Sequence, residues 1–139
     1  MTLSSRSCAH RGGITVVMVL MSAAALAHHS YAMFDRSRLL TVTGTVKELQ
    51  WTNPHAWLQV IVKQPGGQYL EYGFESNGPD GLRKAGWTRH IVKAGEQVTV
   101  EYLPLRNGQP GGELASLTLP DGRKLAAGLP NFGAPGHQP

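Results

Sequence analysis

Short runs of alternating apolar and polar residues, each closed by a turn signal, recur between Leu40 and Leu125 and commit the chain to a β fold. Leu40-Thr41-Val42-Thr43-Gly44-Thr45-Val46 has the two-residue period of a half-buried strand. The phase then changes, because Leu49 and Trp51 lie on the parity opposite to Val46. A bulge at Lys47-Glu48 accounts for the change and bends the strand sharply. Gly44 serves the same curvature. Thr52-Asn53-Pro54-His55 follows as a tight connection, since Pro54 has no N–H to give to a central ladder.

Residues 56–63 form the second expected strand, with Ala56, Leu58, Val60 and Val62 on one face and Trp57, Gln59 and Ile61 on the other. Gln64-Pro65-Gly66-Gly67 is a turn, so strands two and three make a hairpin. In strand three Leu70, Tyr72 and Phe74 face one way, and Tyr69, Glu71 and Glu75 the other. Alternation places Glu71, Glu75 and Glu101 on solvated faces. Ser76-Asn77-Gly78-Pro79 breaks the pattern, with Asn77 as N-cap of a short helix over residues 80–85 and Gly86 at its C′ position. Thr88 caps a second short turn. Residues 97–105 are the fourth strand, residues 107–112 a glycine-rich loop, and residues 114–119 the fifth strand. Asp121-Gly122 signals a closing hairpin into Arg123-Lys124-Leu125.

The fold class is therefore mainly β. The expected architecture is a small five- to six-stranded antiparallel OB-like Greek-key barrel, with one short helix between strands 3 and 4. A small open sandwich is the alternative. Connections this short favour antiparallel neighbours.

The first residues carry a different signal. Arg6 and Arg11 precede a small and apolar run over residues 14–26, and Ala25 and Ala27 occupy the −3 and −1 positions of a cut after Ala27. This is the layout of a secretory signal peptide over residues 1–27, and the run is too short to span a bilayer. The expected address is periplasmic. Residues 28–127 then form a single β-barrel domain, and residues 128–139, rich in Gly and Pro, a disordered tail. The only cysteine, Cys8, leaves with the leader, so no disulfide staples the mature domain.

Removing Arg6 and Arg11 from thirteen Lys and Arg leaves a net charge of about +2 against nine Asp and Glu. That is too little to argue for nucleic acid or strong membrane-surface binding, and no later run is long enough to span a membrane.

Catalytic constellations are missing. No cysteine nucleophile remains, and Ser76 and Ser116 lack a Gly-x-Ser-x-Gly setting. The glycine pairs Gly66-Gly67 and Gly111-Gly112 fit turns, not a phosphate loop opening a helix.

Two sets of binding residues stand out. Cleavage would make His28 the first residue, able to chelate a metal through its amine and its ring. His55 would complete a copper-binding brace, with His29 beside it, since amine and imidazole nitrogens are good copper donors. His55 also has a plainer role: a hydrogen bond to loop backbone at the start of strand two. His90, beside Arg89, and His137, in the tail, carry little weight as donors. The second set is Trp51, Asn53, His55 and Trp57, flanked by the glycine-rich loop, as a face for a small ligand or a periplasmic protein. The alternative for the tryptophans is that Trp51 and Trp87 are core. Arg83, Lys84 and Arg89 make a modest basic patch that a solvated helix face explains as well as an anion site.

Ala27-His28-His29-Ser30-Tyr31, Gly44-Thr45-Val46, Trp51-Thr52-Asn53-Pro54-His55-Ala56-Trp57, Gly86-Trp87-Thr88-Arg89 and Leu119-Pro120-Asp121-Gly122-Arg123-Lys124 together resemble a bacterial family of small exported proteins that carry a domain of unknown function. The resemblance spans roughly residues 28–128, and the Trp-Thr-Asn-Pro-His block is its most specific part. It implies export and one domain and brings no activity. The expected function is a non-enzymatic ligand- or partner-binding barrel, with copper binding for delivery or redox chemistry as the alternative.

Overall fold

A computed structural model describes residues 32–128. The expected leader (1–27), His28, His29 and all of the expected tail except Gly128 lie outside the described residues. In chain order the elements are β1 (Leu40–Gln50), β2 (Trp57–Lys63), β3 (Tyr69–Glu75), a short helix α1 (Pro79–Lys84), β4 (Gln97–Pro104), β5 (Gly111–Thr118) and β6 (Lys124–Ala126). The protein is mainly β, as its alternation requires. Among the described residues no helix is long and apolar enough to cross a membrane.

The strands run β3-β2-β1-β4-β5-β6 across the sheet, and β3 also pairs with β5. That extra pairing closes five strands into a barrel and leaves β6 as an added strand on β5. The closing pair is parallel, with Gly73, Phe74 and Glu75 against Gly111, Gly112 and Glu113. The sheet is thus mixed, which corrects the antiparallel expectation. Short hairpins impose antiparallel pairing only between sequential strands. β3 and β5 are joined through α1 and the whole of β4, so their direction follows from how the barrel shuts.

The register of β1 on β2 jumps between Val46 and Glu48, which pair with Val60 and Gln59. Lys47 is the extra residue, so the bulge lies where the change of phase placed it. Downstream of it Leu49 and Trp51 pack against the core that Val46 enters upstream. The core is the barrel interior: Leu58, Val60, Phe74, Val100, Leu114 and Leu117 are fully buried there, and Leu82 of α1 plugs it together with Trp87. Trp87 also donates from its indole Nε1 to the Ala126 carbonyl at 2.8 Å, which ties the segment after α1 to β6.

Two local expectations change. The N-cap of α1 is Gly78, not Asn77, and no side chain caps it. Asn77 instead donates from its amide to the carbonyls of Ala127 and Gly128, holding the chain after β6. A Cβ at Gly78 would meet the Pro54 carbonyl oxygen at 2.5 Å, so only glycine lets the 52–55 loop sit on the start of α1. Gly111 and Gly112, expected in a loop, open β5. A Cβ at Gly111 would lie 2.2 Å from the Gly73 carbonyl oxygen, so closing the barrel needs bare backbone there. Gly86 does follow α1 with φ +86°, as its C′ role requires.

Candidate functional site

The 52–55 loop joins β1 to β2 and is anchored from both sides. Thr52 Oγ1 donates to the His55 carbonyl at 3.0 Å. The Ala56 N–H donates to the Asn77 carbonyl at 3.3 Å, and Ser76 N–H donates back to Ala56 at 2.9 Å. These contacts present His55 at the end of β3. Its Nδ1 lies 3.1 Å from the Ser76 carbonyl oxygen and 3.3 Å from Glu75 Oε1. A carbonyl only accepts, so the hydrogen bond puts the ring proton on Nδ1. In the neutral ring Nε2 then carries the lone pair. The His55 side chain is 38% exposed.

Glu75 is buried, contrary to its expected solvated position, with only 8% of its surface exposed. It faces out of the barrel, and the parallel register sets it against Glu113, which is 4% exposed. Arg36 reaches from the bend before β1 and donates from Nη2 to both Glu113 oxygens at 2.9 Å. His55, Glu75, Glu113 and Arg36 therefore form a run of charged and titratable groups along the outer wall. Burial pushes the Glu113 carboxyl above its ordinary value, and the Glu75 charge pushes the same way. Arg36 and His55 pull against them. Phe34, Leu103 and Ala115 are buried but belong to no part of the interior cluster, so this wall carries a small second apolar layer.

The expected ligand residues are distributed around this run. Trp57 is half-buried, pairs across strands with Glu75, and shares the outer face of β2 with Gln59 and Ile61, as alternation predicted. Asn53 is exposed in the loop. Trp51 is half-buried against the core, and the Arg83 guanidinium stands 5.8 Å from its ring centroid. Trp87 is core, 2% exposed. The glycine-rich loop does not join this group. Gly108 to Gly111 line a cleft with Leu40, Leu70, Tyr72 and Tyr102, where β1 and β3 begin, whereas residues 52–55 follow the end of β1.

Sequence reasoning missed Arg36 and Glu113. Glu113 follows two glycines that read as loop, and Arg36 precedes the first strand. Nothing local marks a pair 77 residues apart; only barrel closure brings them together. Among the described residues no three His, Cys, Asp or Glu side chains are arranged to hold a metal ion.

The chain matches the family described as Family of unknown function (DUF6152) over residues 16–114, and it belongs to that family. No curated protein and no solved structure matches it.

Proposed function

We propose that this member of the family is an exported, non-enzymatic binding module, an OB-type Greek-key barrel that docks a ligand or protein partner beside Trp57. The ring of strands β1-β2-β3-β5-β4, with α1 between β3 and β4, supports the OB-type reading. Barrels of that class bind across the outer face of strands two and three. Here that face offers half-buried Trp57, Gln59 and Ile61, together with exposed Tyr69 and Glu71. The observation that carries the reading is Trp57 itself. It is a half-exposed indole directly across from buried Glu75 and two residues from His55, so apolar area and fixed polar groups meet at one spot.

A photo-crosslinking residue placed at Trp57 in the living cell tests this. A discrete adduct that disappears on His55→Ala is expected. No adduct, or the same adducts from position 43 on β1, would sink the proposal. Export has its own test: the protein isolated from its compartment should begin at His28 by mass spectrometry, and an uncut chain in the cytosol would overturn the periplasmic assignment.

A second reading, copper binding through His28, His29 and His55, is favoured by one observation. The His55 ring is oriented by a carbonyl and a carboxylate on Nδ1, the usual outer support of a metal-ligating histidine, and its Nε2 is left as the donor. Protein with a native His28 terminus should bind Cu(II) far more tightly than protein carrying one extra N-terminal Gly. Equal affinities would remove the brace, because the extension destroys the amine chelate.

A further inference from the structure

We propose a second binding site at the mouth of the barrel, for a small amphipathic carboxylate whose headgroup is held by Tyr72, Tyr102 and Arg38. The cleft there has a volume of about 280 Å³ and is walled by Leu40, Leu70, Pro104 and the loop of residues 105–111. That is just under the roughly 300–1,000 Å³ of pockets for drug-sized ligands, so the occupant is small. It is a different place from the Trp57 face and does not depend on it.

The floor is aromatic. The Tyr72 and Tyr102 rings meet edge to face at 6.3 Å, and Phe74 packs behind Tyr102 at 5.0 Å. Neither tyrosine hydroxyl makes a hydrogen bond among the described residues, yet no buried side-chain polar atom among them lacks a partner. Both hydroxyls must therefore reach solvent. Tyr102 is only 7% exposed and lines the cleft, so the solvent it reaches is the cleft. Arg38 is exposed at the rim and has no side-chain hydrogen bond or ion pair among the described residues. Its charge acts on the Tyr102 phenol and also on the Asp35 carboxylate outside the cleft.

The chemistry of this lining is one-sided. Two tyrosines and one arginine line the cleft, and no Asp or Glu does. A monoanion with two acceptor oxygens matches three such donors, and the planar guanidinium fork suits a carboxylate. Leu40 and Leu70 then cover an apolar chain; Leu70 is 40% exposed without one. Burial keeps the Tyr102 phenol protonated, as a donor must be.

Titration with octanoate, followed by backbone amide NMR, reads the site directly. Saturable shifts are expected at Leu70, Tyr72, Gly108 and Gly111. Arg38→Gln should weaken octanoate about tenfold and leave 1-octanol unchanged, and Tyr102→Phe, which keeps the ring, should also weaken octanoate. Three results would each overturn the site: no saturable shifts at these amides at millimolar octanoate; octylammonium binding as tightly as octanoate; or unchanged affinity in both variants with their amide spectra still dispersed.

Discussion

Glu113 shows how one residue stores the cost of the fold. Its carboxyl is buried beside a second carboxylate and is balanced mainly by the Arg36 guanidinium, itself 40% exposed, with a smaller contribution from His55. Because its native pKa lies above the ordinary 4.5, the folded state holds this proton more tightly than the unfolded chain. The site therefore favours folding most at low pH, and that advantage is lost as pH rises from 4.5 through the raised native value. Glu113→Gln removes the titration. The stability of the variant minus that of the wild type should grow with pH through this window, measured by urea unfolding at a series of pH values. A flat difference would mean that Arg36 already cancels the burial cost. Trp87 is the apolar counterpart. Trp87→Ala should cost about 3–5 kcal/mol, because it opens a cavity between α1 and β6 and strands the Ala126 carbonyl.

At the scale of elements, β1 and β5 do the shaping. β1 is long and carries its bulge at Lys47, so one strand serves β4 along its first half and β2 along its second. β5 closes the ring, and its first two residues must be glycine for different neighbours. Gly111 meets the Gly73 backbone; Gly112 meets the Leu103 carbonyl, 2.0 Å from where its Cβ would be. Gly111→Ala should therefore destabilise by about 3 kcal/mol or more, since its φ of +118° adds strain to the clash. Thermal unfolding of the variant checks it, and a shift of under a degree would show that the β3–β5 pairing is dispensable. Gly78→Ala should act differently. It pushes on the Pro54 carbonyl, so amide NMR shifts should centre on the 52–55 loop and His55 while the barrel strands stay unchanged.

For the whole molecule, the barrel depends on a contact made late in the chain. β3 waits for β4 and β5 before its free edge is covered, and loop closure on that scale is slow. Refolding is expected in milliseconds to seconds, as for other domains rich in non-local pairing. Gly111→Ala should lower the midpoint mainly by speeding unfolding if closure follows the transition state; stopped-flow kinetics separate the two rates. The chain has one cysteine, so no intramolecular disulfide supports the barrel, and its melting temperature should be indifferent to reductant. A drop on reduction would reveal a cross-link between copies through Cys8 and an uncut leader.

What the sequence determined by itself was the local part of this design. The period-two runs, the turn at Gly66-Gly67, the hairpin at Asp121-Gly122, the helix after β3 and the bulge at Lys47 follow from steric and burial rules that act within a few residues. The partner of the His55 ring was not legible in this way: its hydrogen bond goes to the Ser76 carbonyl, 21 residues on, just after β3. Tertiary structure alone decided the parallel β3–β5 seam, the burial of Glu75 and Glu113, the reach of Arg36, and the use of Asn77 on the chain after β6. Each of these joins groups that are far apart in the chain. Their environment is set by which strand arrives alongside, and alternation fixes only the face a residue is on, not what comes to cover it.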